Sequence, residues 1–142
     1  MKVSVQANDF DLSLEVREIS KSKSVGAVAS FVGVVREVPM TLEHYPGMTE
    51  NAIRKIVDQA AARWQVMDCT VIHRHGALQA GEQIVLVAVA SAHRGDAFAA
   101  CEFIMDYLKT QAPFWKKEHR AGGATWVEAR AADDEAADRW RK

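Results

Sequence analysis

The stretch Ile84-Val-Leu-Val-Ala-Val-Ala-Ser91 constrains this chain more than any other. It is almost unbroken in apolar residues, rich in β-branched valine, and far short of the roughly 20 residues a membrane-spanning helix needs. A strand with one wet face would alternate, so this run reads as a central strand covered on both faces. The chain must therefore supply an apolar layer for each side of it. One layer is plain. Asp96 to about Lys109 carries Ala97, Phe98, Cys101, Ile104, Met105 and Leu108 on one helical side, and Pro113 stops the helix by disfavouring helical geometry just before it.

The rest of the chain is read around that pair. Lys2 to Gln6 alternates like a short strand, and Leu12, Val16 and Ile19 give Asp11 to Ser20 helical spacing. Val25 to Val35 is a strand with a bulge or a close backbone approach near Gly26 or Gly33, and Thr41 to Tyr45 is expected to be its hairpin partner. After the turn signal Pro46-Gly47, Thr49 is placed to cap a helix reaching about Trp64, with Ile53, Ile56, Val57 and Ala60 on its buried stripe. Cys69 to His75 is a strand ending at a turn on Gly76. Phe114 to Glu118 and Thr125 to Ala129 are strands joined across Gly122-Gly123, and Asp133 to Trp140 is a last short helix. Hairpins mixed with packed helices, with no repeat and no linker, predict one α+β domain over residues 1–142.

Composition narrows the function. With 49% apolar and 26% charged residues the chain is globular rather than disordered, and a net charge of -1 gives no reason to expect a nucleic-acid or membrane partner. Met-Lys-Val-Ser-Val lacks the apolar stretch of a signal peptide, and Cys69 and Cys101 lack CxxC spacing, so a reduced, cytoplasmic protein is expected.

Several residue groups are candidates for chemistry. Ser91-Ala92-His93-Arg94 lies between the central strand and a helix start, where free N–H groups, the helix dipole and an arginine suit a phosphate or carboxylate. The alternative is a surface loop with a solvated arginine. Lys109 and Lys116 flank Pro113 and converge only if a tertiary turn brings them together. An amine held among aromatics and other cations becomes a usable nucleophile or base, whereas a lysine at a helix end usually just complements the dipole. Arg36 and Arg130 are further anion contacts or ordinary surface arginines. His73 and His75 share a strand face, yet no HExxH and no paired cysteines accompany them, so no metal site is expected. The two cysteines read as small buried hydrophobes, and Trp64, Trp115, Trp126 and Trp140 as core or interface.

The segment Phe103-Ile-Met-Asp-Tyr-Leu-Lys-Thr-Gln-Ala-Pro-Phe-Trp-Lys-Lys-Glu118 closely resembles the signature of the molybdopterin synthase catalytic (large) subunit family. Thr41-Leu-Glu-His-Tyr-Pro-Gly-Met48, Val71-Ile-His-Arg74 with Gly76 and Leu78, Ser91-Ala-His-Arg94 and Trp126-Val-Glu-Ala-Arg130 resemble the same family in the same order. The resemblance implies an α/β hammerhead-type fold and a homodimer of large subunits. Each would carry a small ubiquitin-like sulfur-carrier subunit, making a heterotetramer. It implies a sulfurtransferase that builds the dithiolene of molybdopterin on cyclic pyranopterin monophosphate. The sulfur would come from a thiocarboxylate on the small subunit's Gly-Gly tail, and no cofactor would be bound permanently. By the same resemblance Lys109 and Lys116 match the catalytic lysines, and Arg36, His93 and Arg94 match the anion ligands of the substrate pocket. Arg130 matches a pocket arginine supplied by the neighbouring subunit, and Phe31, Met105 and Glu118 match other pocket-lining residues. The chain departs from the pattern in one place: only Glu37-Val-Pro-Met40 separates Arg36 from Thr41, where the family usually has a longer loop. A trimmed loop would put the role of Arg36 in doubt, and an incomplete one would imply a segment that orders on binding. Two rivals stand beside the resemblance: an inactive scaffold for a ubiquitin-like protein, and an unrelated enzyme or binder for a phosphorylated small molecule.

Overall fold

The computed structural model describes residues 1–127 and 131–141. Its first sheet has the order β1 (Lys2–Gln6), β4 (Asp68–Arg74), β6 (Gln83–Ser91), β2 (Ala27–Val34). The β1–β4 pair is parallel and the other two are antiparallel. Strand β6 is interior to the sheet and covered on both faces, as its sequence requires. Val85, Val87 and Val89 join the core made with α2 (Met48–Arg63) and α3 (Arg94–Gln111). Leu86, Ala88 and Ala90 pack with Ile19 and Leu12 of α1 (Leu12–Ile19), which Asp11 caps by accepting from the Leu14 N–H.

The second sheet is smaller, with the order β5 (Gly76–Leu78), β3 (Met40–His44), β7 (Phe114–Arg120), β8 (Gly123–Val127). Here the structure corrects the sequence reading: β2 and β3 are not a hairpin. Strand β2 pairs along its length with β6, with a register irregularity between Gly33 and Val34. The Val35 N–H then donates to the Glu82 carbonyl, and residues 35–39 carry the chain into the other sheet, where β3 lies between β5 and β7. The expected close approach at a glycine is present at Gly26, where a Cβ would lie 2.3 Å from the Ala92 carbonyl oxygen.

A second correction concerns Thr49. The turn at Gly47, φ 84°, starts α2, and the Glu50 carboxylate accepts from the Gly47 N–H. Thr49 is already inside the helix and fully buried. Its hydroxyl accepts from the Tyr45 N–H at 3.0 Å and donates to the Pro113 carbonyl at 2.9 Å, pinning the start of α2 to the residue that leads into β7. At the other end of the chain, α4 (Ala131–Asp138) and a 3-10 turn (Arg139–Arg141) lie against α3. Arg139 pairs with Glu102 and Asp106, the Trp140 indole N–H donates to Asp106, and the Trp64, Phe103 and Trp140 rings pack edge to face.

Replacing Thr49 by valine keeps the shape but strands the Tyr45 N–H and the Pro113 carbonyl. The expected loss is about 1–3 kcal/mol in urea unfolding, while Thr49→Ser stays close to the parent. Equal stability of the valine and serine variants would show that this bridge does not hold the two elements together.

Candidate active site

Helix α3 follows β6 after a short connection and packs back across it, so the two run in opposite directions. The end of α3, with Leu108 and Lys109, therefore returns to the start of β6 at Ile84. Strand β2 is antiparallel to β6, and its Val34 lies opposite Gln83 at this same end. Two adjoining clefts open there. One, of about 320 Å³, is lined by Phe31, Gly33, Val34, Val85 and Met105 among others. The second, of about 260 Å³, is lined by Met40, Leu42, Phe114, Lys116, Val127 and Asp133 among others. His73, Ile84, Leu108 and Lys109 line both.

The two lysines thus share one cleft although Pro113 separates them in sequence. Lys109 is exposed on the last turn of α3, and Lys116 is half-buried on β7, across from Leu42 on one side and Val127 on the other. Alternation along β7 puts Glu118 and Arg120 on the Lys116 side of the strand. Glu118 lies 3.8 Å from Lys116 and takes two hydrogen bonds from the Arg120 guanidinium, at 2.8 and 3.1 Å. Phe31, half exposed, and Met105, buried, sit in the first cleft as neighbours of Lys109. Arg36 is exposed on the 35–39 connection between Val34 of one cleft and Met40 of the other. Glu37 beside it takes a left-handed φ of 68° to make the turn.

His93 and Arg94 are elsewhere. His93 occupies the cap position of α3 without a side-chain cap bond, both residues are exposed, and neither lines the lysine clefts. Fifteen helical residues separate Arg94 from Lys109, about 22 Å at 1.5 Å each, which the two side chains do not span. A single chain therefore does not hold all the sequence-predicted residues in one pocket. Arg130 lies outside the described residues, as do Glu128 and Ala129 at the end of the expected last strand.

The residue that sequence reasoning passed over is His73. It was an ordinary strand histidine by pattern, expected to share a face with His75. Instead β4 ends at Arg74, and His75 packs its ring 4.3 Å from that of His44. The His73 ring stacks on Phe114 at 3.8 Å, and its Nδ1 donates to the Arg74 carbonyl at 2.8 Å. Packing withdraws most of the ring from water, and the residue lines both clefts. Burial pushes its pKa down to about 4, the Arg74 carbonyl opposes this, and the nearby Lys109 charge adds to the depression. The imidazole is thus neutral near pH 7. The sequence marks it only as the polar residue that ends the apolar pair Val71-Ile72.

Among the described residues no group of three or more His, Cys, Asp or Glu is placed to hold a metal. Cys69 and Cys101 are free thiols buried in the core, as expected, and burial raises their pKa values to about 12 and about 11. No helix among the described residues is long and apolar enough to cross a membrane.

Two sheets with helices packed on one of them, and two lysines meeting in a cleft lined by both sheets, define an α+β protein of the hammerhead type. The comparisons with known proteins agree. The model of the MoaE protein family matches residues 5–111. A molybdopterin synthase catalytic subunit from Ralstonia nicotianae is 57% identical over 146 aligned residues, covering 97% of this chain and 83% of that protein. The solved structure of the molybdopterin biosynthesis MoaE protein from Burkholderia ambifaria is 52% identical, with a TM-score of 0.86 over 99% of this chain and 98% of that one. Molybdopterin synthase from Staphylococcus aureus is 32% identical, with a TM-score of 0.82 over 87% and 95%. The chain belongs to the MoaE family, the catalytic subunits of molybdopterin synthase. The alignment with the Ralstonia protein is longer than this chain's 142 residues, so that relative carries insertions that this chain lacks.

The neutral state of His73 has a pH signature. An unfolded histidine titrates near 6.5 and the folded one near 4, so between these values the unfolded chain holds a proton that the native chain refuses. Stability should fall as pH drops through that window and be insensitive to His73 above it. His75, also depressed by burial, acts in the same direction. Urea unfolding at about pH 7.5 and about pH 5, either side of the ordinary histidine pKa, should show a smaller difference in His73→Phe than in the parent. An equal difference would mean that His73 titrates normally.

Proposed function

We propose that this chain catalyses the sulfur-transfer step of molybdopterin formation with Lys109 and Lys116 as its catalytic residues. The observation that carries this reading is their meeting in one cleft, from a helix end and a strand that Pro113 separates. The chain's own thiols are buried and protonated, so the sulfur must arrive from outside. The donor that fits is a thiocarboxylate on the flexible tail of a small ubiquitin-like subunit, threaded into the apolar cleft. The acceptor is the phosphorylated pterin precursor, cyclic pyranopterin monophosphate. Each transfer makes a carbon–sulfur bond to the pterin in place of a carbon–oxygen bond there and breaks the tail's acyl carbon–sulfur bond, leaving the acyl carbon as a carboxylate whose new oxygen comes from water. Lys109, at the junction of the clefts, acts as base or as transient acyl acceptor. Lys116, held by Glu118, stabilises the negative charge that develops or passes a proton. The pterin enters as substrate and leaves as product, so this reading assigns no resident cofactor. The setting is cytoplasmic, where buried thiols stay reduced.

The phosphate ligands then require a second copy. His93 and Arg94 sit about 22 Å from Lys109 along α3 of their own chain, so they serve the lysine cleft of a neighbouring large subunit, as Arg130 is expected to do. Arg36, on the connection beside the clefts, acts within its own chain. Phe31 and Met105 shape the apolar wall for the pterin and the tail.

Two experiments follow. With thiocarboxylated small subunit and pterin precursor, Lys109→Ala should lose about 100-fold or more in turnover, while Cys69→Ser and Cys101→Ser, once folded, should retain it. The reverse pattern, or full activity in Lys109→Ala together with Lys116→Ala, would end the lysine assignment, and no turnover by the parent chain itself would leave only a scaffold. Second, co-expressing Lys109→Ala with Arg94→Ala tests the shared site. Mixed dimers then hold one intact site of two, and about a quarter of parental turnover should return if subunits pair at random. If both groups act within one chain, no activity returns.

A further inference from the structure

We infer that His73 is a positioning residue of this site: the edge of its ring that faces the clefts accepts a hydrogen bond from the Lys109 amine and aims that amine at the junction between them. The inference rests on the sulfur-transfer reading above. Among the described residues only four line both clefts, and two of them, Ile84 and Leu108, are aliphatic. The other two are His73 and Lys109, a fixed acceptor and a mobile donor. The imidazole is immobile for three separate reasons. It is carried on β4, an interior strand of the first sheet. It stacks on Phe114 with an interplanar angle of 21°, and its Nδ1 is committed to the Arg74 carbonyl at 2.8 Å. A neutral ring with Nδ1–H donating leaves Nε2 as its acceptor. Among the described residues no buried side-chain nitrogen or oxygen lacks a partner, so Nε2 is not sealed in the core. The clefts are the openings that His73 lines.

A fixed acceptor beside Lys109 serves its proposed work. A lysine on a helix end samples many rotamers, and a reacting amine must be held close to a near-attack position. The charge of Lys109 acts on the His73 ring, so the two groups are near enough to couple. Lys116 is held differently, through Glu118. A purely space-filling role would be met more cheaply by an apolar residue such as the neighbouring Val71 and Ile72, because burying an imidazole carries a desolvation cost.

The test separates the two ring nitrogens. Asparagine at position 73 has an amide nitrogen that can take over the Nδ1 bond to Arg74, but it is too short to reach where Nε2 lies. Glutamine reaches that place. In the complex with thiocarboxylated small subunit, His73→Asn should melt near the parent and lose about 10- to 100-fold in kcat, with KM for pterin and small subunit within about twofold. His73→Gln should recover most of that kcat. The inference is overturned if folded His73→Asn turns over within about twofold of the parent, if the loss appears in KM alone, or if asparagine and glutamine lose equally. Lys109→Ala run beside them keeps the two ideas apart. An active Lys109→Ala defeats the lysine reading itself, whereas an inactive one with a fully active His73→Asn defeats only the positioning role of His73.

Discussion

Strand β6 offers Val85, Val87 and Val89 to α2 and α3 and Leu86, Ala88 and Ala90 to α1, so it has no face left for water. A strand of this kind must be interior, with its backbone paired on both edges, and here β4 and β2 pair with it. Its helix partner must lie flat across it. Because α3 follows at once, it can only double back, and the doubling back decides where chemistry can occur. The residues that open α3 are left at one end of the sheet, and those that close it arrive at the other. Anion-binding groups at a helix start and amines at a helix end are natural on the same element, through the same dipole, but a rigid helix keeps them apart.

The second sheet completes what the first begins. Strand β7 brings Lys116 to the end of α3, and it is placed there by short-range bonds rather than by a large apolar interface. The Thr49 hydroxyl ties the Pro113 carbonyl to α2, while the stack of Phe114 on His73 ties the first residue of β7 to the first sheet. The cleft is therefore a seam between two sheets. Its apolar lining comes from both sheets and from α3, and its charged residues are Lys109 of α3, Lys116 of β7 and Asp133 of α4.

Much of this was legible in the sequence for physical reasons that differ from element to element. The unbroken run of β6 and the striped helices α2 and α3 announce themselves because burial demands periodicity. The lysine pair was legible through resemblance, since nothing in its spacing says that residues across a proline will converge. The β2–β3 hairpin failed because two adjacent strands with a short connection read as partners. Pairing is set instead by distant chain: β2 pairs with β6, and β3 lies between β5 and β7 of the other sheet. Thr49 was misplaced as a cap because its true partner, Pro113, lies 64 residues away. His73 was hidden for a similar reason: its stacking and its cleft both come from distant chain. The separation of Arg94 from Lys109 was in plain view as fifteen residues of one helix, and simple arithmetic on the helical rise would have shown it.

The two cysteines have a consequence of their own. Both are sealed against β6 and α3, with thiols that hold their protons well above neutral pH. A catalyst that handles a thiocarboxylate runs a hazard that other enzymes do not: an accessible cysteine thiolate of its own can attack the tail's acyl carbon, forming a thioester and expelling the sulfur as hydrosulfide. Locking both potential traps inside a dry interior leaves the visiting atom a single exit, toward the pterin. Here core packing is also a form of chemical insulation.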